Sequence, residues 1–162
     1  PPATKGYTPS FFALLPKLLE RAGSFENRGS ITGLYTVLVE GDDMNDPIGD
    51  SVRSIVDGHI VLTRRLAERG HFPAIDVLQS TSRVMRNVVS EDHVRQALHV
   101  REMMAVYNEA EDLINIGAYK SGSNPRIDLA IKMQGPIEAL LKQSIGEGSN
   151  FAETERIFMN LE

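Results

Sequence analysis

The pattern of this chain changes once, near Val88, and that change constrains the fold more than any single residue does. Before it, short apolar and β-branched runs alternate with helical segments. After it, every segment has helical character. Residues 31–39 are nearly continuously apolar from Leu34 to Val39, which predicts a strand buried on both faces, as in a parallel sheet. Shorter strands are predicted over 59–62 and 74–77, with helices over 51–56 and 63–69, the second stopped by Gly70. Strands alternating with helices point to a parallel α/β sheet. Ahead of them, residues 1–9 form an irregular loop. A helix follows, capped by Thr8 or Ser10, with Phe11, Phe12, Leu14, Leu15, Leu18 and Leu19 on a wide apolar face. The polar stretch 24–29 ends it, and an acidic turn covers 40–50.

Beyond Val88 the helix signals are local and strong. Ser90 caps a long helix opened by Glu91 and Asp92 and closed by Gly117. Asn124-Pro125 supplies a cap followed by proline at the first helical position. Gly135-Pro136 predicts a kink or a split before a helical piece over 137–145. A turn over 146–150 leads into a last helix that runs to about Met159. The expected boundary divides the chain into 1–87 and 88–162.

Composition narrows the function. With 162 residues, 41% hydrophobic and 24% charged, the chain can bury an ordinary core. A net charge of −5 argues against a nucleic-acid binder, which carries a basic face. The absence of cysteine excludes disulfides and thiolate metal sites and suits a reducing cytoplasm. No apolar run approaches a membrane span. Of the four histidines, His59, His71, His93 and His99, the last two fall on different helix faces, and there is no H-E-x-x-H motif or cysteine partner, so no protein-bound metal is expected. No nucleophile elbow or paired-carboxylate pattern supports hydrolysis by a triad or a glycosidase pair.

One stretch does carry chemistry. HFPAIDVLQSTSRVM, residues 71–85, sets a flat ring (Phe72) before a buried strand and a lone guanidinium (Arg83), preceded by Ser82, after it. A ring offers a face for stacking a base, and a planar fork of donors matches phosphate oxygens. The same residues also suit a core ring and a surface ion-pair partner.

This order resembles the catalytic subunits of rotary ATP synthases and, more closely, the ATPases that drive flagellar and type III protein export. The resemblance continues through PPATKGYTPSFFALLPKLLERAG, GSITGLYTVLVEGDDMNDPIGDSVRSIVDGHIVLTRRLAERGHFPAID and EDLINIGAYKSGSNPRID, and thins after about Gln143. It implies the C-terminal part of a RecA-like P-loop NTPase core, a parallel sheet with flanking helices, followed by an all-α helical C-terminal domain. It also implies a homohexameric motor that hydrolyses ATP at the cytoplasmic base of a secretion apparatus.

Site residues follow from the same resemblance. Arg83 is then an arginine finger that reaches across a subunit interface to the γ-phosphate held by a neighbour. Phe72 stacks on the adenine bound to its own subunit, and Ser82 orients the turn. Phe151 suits either the far wall of that pocket or a core position in the last helix. ATP and Mg2+ are the implied ligands, held mainly by an upstream half. The implied partners are export-gate and regulator proteins and a coiled-coil central stalk. The stalk is met by Ala3, Thr4, Lys5 and Gly6 and by Asp43, Asn45 and Asp46, although the second of these loops equally suits a solvated turn. The turn over 119–126 resembles the lever segment that meets the stalk, without its acidic run.

GAYKSGSNPRID points to the flagellar branch. The virulence injectisome branch and a non-catalytic assembly module of the same fold are the alternatives. The sequence contains no G-x-x-x-x-G-K-[ST] phosphate loop. The expectation is therefore the C-terminal half of a larger ATPase, inactive as an isolated chain.

Overall fold

The computed structural model describes residues 8–39 and 46–161, in two compact units that divide at His59 and Ile60. In the first unit, Thr8 precedes α1 (Pro9–Leu19), which places Pro9 at the first helical position, where no N–H is needed. The polar stretch after it is a hairpin: β1 (Gly23–Phe25) pairs antiparallel with β2 (Gly29–Ile31), with Ser24 opposite Ser30. The connecting turn places Asn27 at φ 59°, a conformation asparagine tolerates well, and the Arg28 N–H donates to the Phe25 carbonyl at 3.1 Å.

Residues 32–39 correct the sequence reading. They form no strand, and Leu34 and Leu38 are 94% and 93% exposed. A strand buried on both faces needs a hydrogen-bonded neighbour on each side and cover above and below. Within this unit the described strands β1 and β2 pair only with each other. α2 (Pro47–Ile55) starts earlier than expected because Asp46 caps it, accepting from the Ile48 N–H at 2.9 Å. Asp46 is buried in that role, which corrects its expected place on an exposed, stalk-facing loop. Ala3, Thr4, Lys5, Gly6, Asp43 and Asn45 lie outside the described residues.

β3 (Gly58–Leu62) leads into the second unit. Thr63 caps α3 (Arg64–Glu68), and β4 (Ile75–Ser82) returns beside β3 in a two-stranded sheet. β4 is longer than the predicted strand and half-buried rather than buried. A short helix, α4 (Met85–Val88), precedes α5 (Glu91–Asn115), which the Ser90 hydroxyl caps by accepting from the His93 N–H. At its other end Gly117 takes φ 68°, and the N–H groups of Gly117 and Ala118 return to the carbonyls of Ile114 and Leu113. This is a Schellman closure, which residues bearing a Cβ rarely accommodate.

α6 (Pro125–Leu141) is capped by Asn124 and continues through Gly135-Pro136, so the helix is not split there. Proline crowds both the backbone N–H and the Cβ of the residue before it, and Gly135 has no Cβ. Buried Met133 and Ile137 bracket the proline and hold both sides of it to the core. The helix stops at Leu141 rather than near Ile145. α7 (Phe151–Met159) follows the turn over 146–150, as the sequence predicts, and is capped by Asn150.

The core of this unit is helical. Val100 and Met103 of α5 meet Ala130, Met133 and Ile137 of α6 and Leu161 beyond α7, with Tyr107, Leu140 and Phe158 around them. Gln96 fastens the end of α7 to α5 by donating to the carbonyls of Phe158 (3.0 Å) and Leu161 (2.9 Å), which satisfies acceptors left over at a helix terminus. No helix among the described residues is long and apolar enough to cross a membrane.

Candidate functional site

β4 carries the candidate site at its two ends. At the N-terminal end α3 closes on Gly70 (φ 68°), and the His71 N–H donates to the Leu66 carbonyl at 2.9 Å. That closure turns the chain so that His71 is buried and Phe72 emerges 55% exposed. The Phe72–Pro73 peptide bond is cis. The Phe72 carbonyl accepts from the backbone N–H of Gln143, just past α6, at 2.8 Å. The ring is therefore not a core residue: its backbone is tethered to the helical region and its face is open.

At the C-terminal end Thr81, Ser82 and Arg83 are all exposed, and the chain just before them is held firmly. The Arg101 guanidinium of α5 donates to three β4 carbonyls: Val77, Leu78 at 3.0 Å and Ser80 at 3.1 Å. The Ser80 hydroxyl donates to the Asp76 carbonyl at 2.6 Å and accepts from the Val61 N–H at 3.0 Å, which ties β4 to β3. The Asp76 carboxylate accepts from the Gln79 backbone and side chain at 3.0 and 2.8 Å. Neighbouring carbonyls of a regular strand point to opposite edges. Capture of the Val77 and Leu78 carbonyls by one guanidinium thus marks an irregular segment whose backbone acceptors are satisfied from α5.

Ser82 and Arg83 are adjacent, whereas Phe72 precedes the opposite end of β4 (Ile75–Ser82). Phe151 opens α7 and is 75% exposed, which excludes the core position. The aromatic that α7 contributes to the core is Phe158. A cavity of about 100 Å3 lies beneath β4 and one of about 270 Å3 beside the turn after α5. Both are smaller than the roughly 300–1,000 Å3 typical of ligand pockets, and neither is lined by Phe72, Ser82, Arg83 or Phe151.

Arg101 and Gln143 were not singled out by the sequence. Arg101 had one readable sign: it stands between Ala97 and Met104 on a half-buried stripe of α5, where a charged side chain needs a partner. Chemically, the two ends of β4 offer an open aromatic face and an exposed planar cation, each on a backbone anchored to the helices.

A strand–helix–strand unit with its candidate groups at the strand ends, followed by an all-helical region, is part of a RecA-like core joined to a helical C-terminal region. Residues 1–82 match the ATP synthase alpha/beta family, nucleotide-binding domain, and residues 89–159 match the T3SS EscN ATPase C-terminal domain. The chain belongs to the ATP synthase alpha/beta family. It is 55% identical over 154 residues to the flagellum-specific ATP synthase of Bacillus subtilis, covering 95% of this chain and 35% of that protein. It is 57% identical over 154 residues to a type 3 secretion system ATPase of Sinorhizobium fredii, covering 95% and 34%. Among solved structures it superposes on the assembled ATPase EscN of enteropathogenic E. coli, in complex with its central stalk EscO. The TM-score is 0.84 at 49% identity, covering 96% of this chain and 36% of that one. The chain spans about a third of the length of the curated relatives it matches.

Proposed function

We propose that this chain is the interface-forming part of an ATP-hydrolysing motor for flagellar type III protein export, acting as a homohexamer. The observation that carries the reading is identity of 55% and more to named export ATPases across 95% of the chain, with an open ring and an exposed guanidinium at the two ends of one strand. Arg83 acts in trans on the γ-phosphate of a neighbour's nucleotide, where negative charge spreads over the phosphoryl oxygens and a planar fork matches them. Phe72 stacks on the adenine of its own subunit's nucleotide, Ser82 orients the turn, and Phe151 forms the far wall of the adenine pocket.

ATP is the substrate, and Mg2+ is assigned to no residue of this chain. Residues 1–87 belong to the ATPase core and 88–162 to the helical domain. The motor works at the cytoplasmic base of the export apparatus, with export-gate and regulator proteins as further partners. Its central stalk is met by Ala3, Thr4, Lys5, Gly6, Asp43 and Asn45. The 57% identity to a type 3 secretion system ATPase favours a second reading, in which the apparatus is an injectisome.

The test is Arg83→Ala in the full-length enzyme. ATP turnover falls by roughly a thousandfold or more while assembly and nucleotide binding persist. Arg83→Lys restores little, because a point charge cannot reproduce the fork. A raised KM with unchanged kcat would make Arg83 a binding residue instead.

A further inference from the structure

Ile145 is fully exposed, more so than any other large apolar side chain among the described residues. A single exposed apolar residue is ordinary on a protein surface, but this one stands on a turn with little freedom. The Gln143 side chain donates to the Glu147 carbonyl at 2.9 Å, and the Glu147 N–H donates to the Ser144 carbonyl at 3.1 Å. One oxygen of the Glu147 carboxylate accepts from the Ser144 N–H at 3.0 Å and from its hydroxyl at 3.2 Å. The turn begins at Gln143, whose backbone N–H holds the Phe72 carbonyl at 2.8 Å. Two Cα–Cα steps, at most about 7.6 Å, separate Ile145 from Gln143. The isoleucine and the open ring of Phe72 therefore stand on two segments joined by one backbone hydrogen bond. We infer that Ile145 is a further base-binding residue, which covers the adenine beside Phe72 when a nucleotide is bound. This rests on the reading of Phe72 as the ring that stacks on that base.

The chemistry of Ile145 suits the task. A base has two faces, and one ring covers only one of them. An aliphatic side chain adds dispersion contact with no hydrogen-bonding demand of its own, so it fits the apolar surface that the ring leaves open. Left in water, Ile145 gains the folded chain nothing, whereas a base laid against it removes apolar surface of both partners from water. The turn supplies order in advance: Glu147 fixes the backbone on both sides of Ile145, so little freedom remains to be lost on binding. The other occupant for an exposed isoleucine is a neighbouring subunit, and the experiment separates the two.

In the full-length ATPase, calorimetry compares binding of Mg-ADP with that of Mg-pyrophosphate, which keeps the phosphates and lacks the base. Hexamer assembly and thermal midpoint are read for every variant. Ile145→Ala is expected to weaken ADP binding roughly five- to twentyfold and to leave pyrophosphate binding within about twofold of wild type. Ile145→Val is expected to keep most of the ADP affinity. Glu147→Ala frees the turn and leaves the isoleucine in place, so its ADP affinity is expected to fall between those of wild type and Ile145→Ala. Wild-type ADP affinity in Ile145→Ala overturns the inference, as does equal weakening of ADP and pyrophosphate. Loss of assembly in place of loss of affinity also overturns it and assigns Ile145 to a subunit contact. Phe72→Ala separates the inference from the reading beneath it. Unchanged ADP affinity there overturns both, whereas weakened binding in Phe72→Ala beside normal binding in Ile145→Ala overturns this inference alone.

Discussion

Gln143 donates its backbone N–H to the carbonyl of Phe72 at 2.8 Å, tying the loop that presents the ring to the segment just beyond α6. The preceding residue, Lys142, is already extended at φ −91° and ψ 140°, a conformation that a following proline accepts. Gln143→Pro therefore removes the donor without forcing Lys142 to move. In the full-length ATPase it is expected to raise KM for ATP several-fold with little change in kcat, as loss of ground-state stacking does. Gln143→Ala keeps the N–H and loses only the side-chain bond to the Glu147 carbonyl, so it serves as the control. Equal effects of the two substitutions would mean that the Phe72 link is not what holds the ring.

The helical core makes a separate prediction. Met133 is fully buried against α5, whereas Ile145 is fully exposed. Met133→Ala is expected to destabilise the fold by about 2–5 kcal/mol, through lost burial plus the cavity left behind. Ile145→Ala should stay within about 0.5 kcal/mol of wild type. Denaturant unfolding followed by far-ultraviolet circular dichroism separates the two, and similar shifts in midpoint would contradict the packing described here.

Much of this architecture was legible, and the reason is locality. Ser90 and Asn124, both read as caps, each bond a backbone N–H two or three residues away, so a cap can be read from a few consecutive letters. Residues 31–39 were misread because an apolar run becomes a strand only when neighbours pair with it, and that information is not local. The helix is not split at Pro136 for the opposite reason: a breaker's local penalty is outweighed by Met133 and Ile137 packing on either side. At the candidate site Phe72 and Arg83 stood out as residue types. Arg101 did not, since its partners are backbone carbonyls that leave no trace in side-chain identity.

The turn between α5 and α6 is held by one carboxylate. Asp128 accepts from the Tyr119 hydroxyl at 2.9 Å, the Gly122 N–H at 2.9 Å and the Ser121 hydroxyl at 3.4 Å. Asp128→Ala removes the acceptor of the exposed Gly122 N–H and Ser121 hydroxyl, while the Tyr119 hydroxyl retains the Asn124 carbonyl. Exchange of the Gly122 amide is expected to accelerate about tenfold or more, while amides in the middle of α5 keep their protection. Asp128→Asn retains an acceptor oxygen and should fall between. Unchanged exchange at Gly122 in the Ala variant would show that the turn is ordered by other contacts.

The 162-residue chain by itself contains no phosphate loop, and stacking on Phe72 contributes only about 1–3 kcal/mol. It is expected to release no phosphate above a buffer blank and to bind ATP weakly by calorimetry. Phosphate release that Arg83→Ala abolishes would contradict this.

The central claim is that Arg83 works on a nucleotide held by a neighbouring subunit, and subunit mixing tests it most directly. Full-length Arg83→Ala subunits are combined with full-length subunits that carry a defective phosphate loop, each inactive alone. Wherever an Arg83→Ala subunit holds the nucleotide and its neighbour supplies an intact Arg83, the interface is complete. The account predicts that the mixture recovers a substantial fraction of wild-type ATP turnover, greatest near equal proportions. A mixture no more active than either variant alone, in hexamers verified to contain both, would contradict it.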